Sequence, residues 1–191
     1  MDWYSKLRHL WWRYDKINPD SDLVKNYYML KYNIVKELKP SSILEIGVRF
    51  GYSAYAFLSA CPGAQYIGID NDLGEHGGIS KLYPFLAKNV LSCFDDVTLI
   101  KADTQKEIIK IDADFIHVDG DHSEQGCYND LINFENRCNY MLVDDFSHSV
   151  GVAKSVISFL NSRDYKITIY DDGYRGSILI YTNNLSGLND D

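Results

Sequence analysis

A doubly wound α/β domain, with a mostly parallel seven-stranded sheet and a C-terminal antiparallel hairpin, is the fold this sequence predicts. Three observations point to it. Apolar runs of strand length alternate with stretches of helical periodicity from residue 22 to residue 162, the pattern of a parallel sheet with helices on both faces. The last two apolar runs, YKITIYDD and GSILIYTN, flank a turn at Gly173 and Gly176, as an antiparallel hairpin does. Acids also stand at one strand end after another: Glu45, Asp70, Asp103, Asp119, Asp144 and Asp145. Ligands of doubly wound sheets bind beyond those carboxyl ends.

The elements follow in order. Residues 22–38 read as a helix, because Leu23, Tyr27, Leu30, Ile34, Val35 and Leu38 recur at near-helical spacing before Pro40 stops the run. SILEI (42–46) is a strand, Gly47 to Gly51 a turn, and SAYAFLSAC a helix that Pro62-Gly63 ends. QYIGID is a second strand, and the loop LGEHGG leads to a helix around 78–92. VTLIKAD is a third strand, with a short helical segment near 104–110. DFIHVDG and YMLVDD are the fourth and fifth strands, followed by helices over 124–136 and 149–162.

One domain over residues 1–191 suits the length, with residues 1–21 an aromatic N-terminal extension. That extension, MDWYSKLRHLWWRYDKINPD, lacks the apolar core of a secretory signal, and its rings are expected to dock on the domain or on a second copy in a homo-oligomer. No apolar run is long enough for a membrane span. The four cysteines form no CxxC pair, which fits a reducing cytoplasm. The net charge is −8 and Lys/Arg do not cluster, which argues against a nucleic-acid partner.

The chemistry starts with LEIGVRFGYSAY. Gly47 and Gly51 allow a tight turn and close backbone approach to a ligand, and the helix opening at Ser53 can hold a carboxylate at its N-terminus. The spacing is ExGxxxG, not the GxGxxG of dinucleotide-binding domains. Asp70 ends the second strand, where an acid can accept both hydroxyls of a ribose. Asp103 ends the third and could face an adenine amino group, though alone it reads as a loop acid. Together these acids favour S-adenosylmethionine over NAD.

ExGxxxG with this series of acids resembles the class I S-adenosylmethionine-dependent methyltransferases, a Rossmann-like fold, over roughly residues 25–182. EIGVRFGYSA is similar to the metal-dependent O-methyltransferases of catechol type. The resemblance implies that Glu45 and Gly47 contact the methionine part of the cofactor and that Ser53 holds its carboxylate. It also implies metal ligands at the ends of strands four and five, which here are Asp119 and the doublet Asp144-Asp145. Mg²⁺ takes such hard oxygen ligands and can favour the alkoxide of an acceptor hydroxyl. The DGxH spacing that places His122 three residues after Asp119 is similar to the macrolide-sugar O-methyltransferases, and implies a general base there.

The sequence departs from that pattern in its Asp-Asp doublet, in RCNY where relatives carry Gly-Gly before strand five, and in having no long insertion. The metal and the acceptor therefore stay open. Bland readings go to His117 (core or helix-facing), Asp121 (outer contact or turn), His76 (no role) and Asp171 and Asp172 (turn acids), while His148 reads equally as near the site or as a helix start. The resulting expectation is a cytoplasmic, Mg²⁺-dependent O-methyltransferase for a small hydroxylated acceptor, a sugar or glycan foremost. Its cofactor residues would be Glu45, Gly47, Gly51, Ser53, Asp70, Asp103 and Asp119. The rivals are transfer to nitrogen, carbon or sulfur, a cofactor-binding scaffold without turnover, and an NAD domain.

Overall fold

The computed structural model describes residues 2–11, 18–74 and 81–182. Its sheet holds β1 (Ser42–Ile46), β2 (Gln65–Asp70), β3 (Val97–Lys101), β4 (Phe115–Val118), β5 (Tyr140–Val143), β6 (Lys166–Tyr170) and β7 (Ser177–Tyr181) in the order β3-β2-β1-β4-β5-β7-β6. The first five strands pair in parallel, and β7 lies antiparallel to both β5 and β6. The strand order reverses between β1 and β4, which opens a crevice above their carboxyl ends. The predicted fold class is the observed one.

Successive residues of a strand face opposite sides of the sheet, so each side has its own core. Ile43, Phe115, Leu142 and Leu179 face α1 (Trp3–Trp11), α2 (Asp22–Leu38) and α3 (Tyr52–Ala60). Leu44, Ile46, Ile116, Val118, Met141 and Val143 face α5 (Glu124–Phe134) and α6 (Val150–Leu160). The first side also carries two polar residues inside strands, Glu45 and His117, which are paired in register across β1 and β4.

The buried stripe of α2 is Val24, Tyr27, Tyr28, Lys31, Ile34 and Val35, at helical spacing. It is offset from the expected stripe: Leu23 is exposed and a lysine sits in the middle of the apolar face. Trp3, Tyr4 and Trp11 lie in α1, which docks on its own chain. Trp11 stacks on Tyr52 with centroids 4.1 Å apart, and Trp3 stacks on Tyr32 at 4.8 Å.

Two predicted helices change. The segment 104–110 is a single turn, in which Lys106 and Glu107 both donate to the Asp103 carbonyl at 2.9 Å. It packs only Ile109 against the core, and Ile108 is 89% exposed. The helix expected around 78–92 is α4 (Tyr83–Val90), with Pro at its start and Lys81 in the left-handed conformation just before it. The rest of the LGEHGG loop, with His76, lies outside the described residues. No helix among the described residues is long and apolar enough to cross a membrane.

Candidate active site

A cavity of about 360 Å³ opens beyond the carboxyl ends of β1, β2 and β4. Its floor is the turn after β1, whose geometry demands glycine. Gly47 has φ +83°, and a Cβ there would lie 2.0 Å from the Asp119 carbonyl oxygen. The turn is tied at both ends: Gly47 N–H donates to the Ile69 carbonyl at 2.8 Å, and the N–H groups of Val48 and Arg49 donate to Asp70 Oδ2 at 3.0 and 2.9 Å. Gly51, also at φ +83°, caps α3, so that Ser53 faces the cavity from its first turn.

Of the residues expected around the cofactor, Gly47, Ser53, Asp70, Asp103 and Asp119 line this cavity. Asp70 also takes the Asp72 N–H at 2.8 Å. Backbone donors thus fill three of the about four acceptor positions of its carboxylate. Lys106 pairs with Asp103 at 2.7 Å and lowers its pKa. Gly51 shapes the turn from behind the wall. Glu45 does not reach the cavity at all: it is 1% exposed beneath the floor, where it meets His117 Nδ1 at 2.9 Å and accepts from the Tyr66 hydroxyl. Burial raises its pKa.

The carboxylates after β4 and β5 separate into two networks. Asp119 and Asp144 continue the strand ladders, donating to the Ile46 and Val118 carbonyls at 2.9 and 3.0 Å. Asp144 points to the α2 side and is buried. Its Oδ2 meets Lys31 Nζ at 2.8 Å and accepts from the Tyr27 hydroxyl, and its Oδ1 accepts from Ser177 Oγ at 2.9 Å. Lys31 Nζ also lies 3.4 Å from His117 Nε2 and 4.1 Å from the centre of the Tyr27 ring. Burial alone would raise the Asp144 pKa, but Lys31 and His117 hold it well below the carboxylate range. For His117, burial and Lys31 act downward, yet Asp144 and Glu45 outweigh them and lift it to about 9.

Asp145 turns the other way, because its backbone is left-handed at φ +56°. Arg175 Nη1 lies 3.0 and 2.9 Å from its two oxygens. His122 Nδ1 lies 3.3 Å from Asp145 Oδ2, and His122 Nε2 lies 3.2 Å from Asp119 Oδ1. The imidazole thus sits between two carboxylates, one of which is in the cavity wall. Asp119 raises the His122 pKa against the opposing effect of burial. Burial and the Asp144 charge raise that of Asp119.

Among the described residues two sets of potential metal-ligand atoms converge within 4.8 Å: His117 with Asp119 and Asp144, and Asp119 with His122 and Asp145. The three expected carboxylates do not form one set; Asp119 is shared between two. Of the other residues noted in the sequence, Asp121 borders the cavity. Asp121 caps the Ser123 N–H at 2.8 Å, His148 is exposed, and Asp171 and Asp172 accept turn N–H groups of the hairpin. The sequence reading missed Lys31, Tyr27, Ser177 and Arg175. Only Lys31 carried a signal, as the charged member of an apolar helix stripe.

Comparison with curated protein sequences gives no match. The fold is similar to that of an S-adenosylhomocysteine-bound methyltransferase from Podospora anserina, with a TM-score of 0.72, 13% identity, and 96% of this chain and 89% of that chain covered. It is similar to the Bacillus cereus O-methyltransferase in complex with S-adenosylhomocysteine, at 0.68 and 13%, covering 92% and 89%. It is also similar to the Streptomyces achromogenes O-methyltransferase TomG in complex with S-adenosylmethionine, at 0.64 and 14%, covering 95% and 89%. At these identities the likeness is one of fold. The methyltransferase domain family itself matches residues 44–146, from β1 through the strand ends that carry Asp119, Asp144 and Asp145 and over more than half the sequence, and the chain belongs to that family, whose class I S-adenosylmethionine-dependent character its motifs share.

Proposed function

We propose that this chain methylates a hydroxyl of a small acceptor from S-adenosylmethionine, with His122 as general base. One observation carries the reading. The His122 imidazole is held between Asp145 and Asp119, and Asp119 is part of the cavity wall.

The cavity fits the cofactor. Its volume lies in the range of small-molecule sites. Asp70 offers an acceptor position to a ribose, Asp103 one to an adenine amino group, and Ser53 with the α3 N-terminus suits a carboxylate. The indole N–H of Trp11, buried in the wall, has no hydrogen-bond partner among the described residues and is a donor that a ligand would satisfy. When bound, S-adenosylmethionine supplies an electrophilic methyl group on sulfur.

The chain's own part is to place the acceptor oxygen and take its proton. Arg175 fixes Asp145, Asp145 lies beside Nδ1 and Asp119 beside Nε2, so the ring must first release the proton facing Asp119 before Nε2 can act as the base. Nε2 accepts the hydroxyl proton as the oxygen–methyl bond forms and the carbon–sulfur bond breaks. Asp119 next to it orients the hydroxyl. The Tyr27, Tyr28 and Tyr174 rings in the wall support a sugar or glycan acceptor, since they pair apolar faces with polar edges.

The residues fit Mg²⁺ less well. Mg²⁺ asks for near-octahedral oxygen ligation. Each converging set here offers two carboxylates and an imidazole, and Asp144 and Asp145 already hold Lys31 and Arg175. No step is assigned to the ion.

The test has two parts. S-adenosylhomocysteine should raise the melting temperature of wild type and of His122→Ala alike. In a screen of hydroxylated acceptors with methyl-labelled S-adenosylmethionine, His122→Ala should lose roughly 10²–10⁴-fold in turnover. The wild-type rate should rise with pH through a value above the ordinary imidazole pKa of 6.5, because the charged form must first lose its proton. An acceptor turned over equally by both proteins would remove His122 from the chemistry.

A further inference from the structure

The carboxylates expected to need a metal ion already face cations that the chain supplies. We propose that Lys31 is the resident cation of this site and that no divalent ion binds there.

Three features support this. Lys31 rises from the buried stripe of α2, its side chain is 0% exposed, and its ammonium stands 2.8 Å from Asp144 Oδ2. A buried ammonium is tolerable only where it is paired and hydrogen-bonded, and Asp144 with the Tyr27 ring face gives it that setting. Second, both oxygens of Asp144 already have partners. Tyr27 shares Oδ2 with Lys31, and Ser177 Oγ holds Oδ1 at 2.9 Å. Third, the other half of the doublet is spoken for, since Arg175 reaches both oxygens of Asp145. Four carboxylates, Glu45, Asp119, Asp144 and Asp145, face Lys31, Arg175 and two imidazoles. A divalent ion that used Asp144 would have to displace a fully buried ammonium, and one that used Asp145 would have to displace the Arg175 guanidinium.

The mutual repulsion of these carboxylates is thus met in another way. Converging carboxylates repel one another unless a cation stands among them. Here a lysine from α2, 113 positions before Asp144 in the chain, is that cation. The proposal concerns the site of the preceding section and rests on that reading only for its catalytic meaning, namely that acceptor activation falls to His122 and Asp119 alone. Ion binding is measured without any acceptor.

The experiment titrates Mn²⁺, followed by electron paramagnetic resonance, into the full chain with S-adenosylhomocysteine present. The wild type should leave the free-ion signal undiminished. Lys31→Ala should gain saturable Mn²⁺ binding, and Lys31→Ala with Asp144→Asn should lose it again. Lys31→Arg, which keeps the charge, should behave as wild type. Saturable binding by the wild type that Asp144→Asn abolishes would overturn the proposal. So would a folded Lys31→Ala protein that gains no binding, because the lysine would then not be what keeps the ion out. Should Lys31→Ala fail to fold, wild type against Asp144→Asn still decides. A failure of S-adenosylhomocysteine to shift the melting temperature would count against the proposed function and leave the ion result standing.

Discussion

Asp130 gives a pH-dependent stability that can be worked out from its surroundings. It projects from α5 beneath the cavity, fully buried. Gln105 Nε2 donates to its Oδ1 at 2.9 Å, and its Oδ2 has no hydrogen-bond partner among the described residues. Burial, helped by the charge of Asp121, lifts its pKa from 3.8 to about 7. That is roughly three units, and at 1.36 kcal/mol each it amounts to about 4 kcal/mol. The sign follows from a folded pKa above the unfolded one. Below about pH 4 both states are protonated and the full stability is present. As pH rises towards 7 the unfolded chain sheds the proton first, so stability falls; above about 7 the loss is complete and flat. Asp130→Asn cannot ionise and should lack this slope. Urea denaturation of both proteins in steps from about pH 4 to about pH 8 reads the difference directly, because every other titrating group is common to both. The variant should gain on the wild type by up to about 4 kcal/mol across that window. A constant difference between the two proteins at all pH values would refute the reasoning.

Two other substitutions test the scaffold. Gly47→Ala puts a Cβ 2.0 Å from the Asp119 carbonyl oxygen at a positive φ, so it should cost more than about 4 kcal/mol and abolish the S-adenosylhomocysteine melting shift; a wild-type denaturation midpoint would show that the β1 turn is drawn wrongly. Trp11→Ala removes a 1%-exposed indole stacked on Tyr52, for a cost of roughly 3–5 kcal/mol. A loss below about 1 kcal/mol would mean that α1 is not docked on the domain in solution.

The strands were legible because parallel strands buried on both faces read as short apolar runs between turn signals. The bounds 42–46 and 65–70 match β1 and β2, and 22–38 matches α2. What periodicity could not resolve was the facing of α2, where Leu23 and Val24 are equally apolar and only the tertiary fit leaves Leu23 exposed. The 104–110 segment carries helix-forming residues but packs only Ile109 against the core, and propensity without a packed face does not hold a helix. The positions of the site acids were legible as strand ends. Their partners were not, since Lys31 reaches Asp144 and Arg175 reaches Asp145 only after the sheet has formed. A doublet in sequence looks like a pair of ligands. In the structure a single left-handed residue sends its two members to different networks.

That division decides which carboxylate is left for chemistry. Of the three acids after β4 and β5, Asp144 has Lys31 and Asp145 has Arg175, while Asp119 has no lysine or arginine partner among the described residues. Asp119 is also the exposed one, at 20% against 1% for each of the other two side chains or less. Buried ion pairs do not favour stability in general, because desolvation offsets their attraction. They do fix charge in place. Here they neutralise two carboxylates that would otherwise compete for any cation or proton entering the site. Asp119, in the cavity wall, and His122 beside it are left as the pair for the proposed chemistry, with Asp145 at the other ring nitrogen. Lys31, buried outside the cavity, would then shape the reaction without touching the acceptor, by deciding which acid remains available.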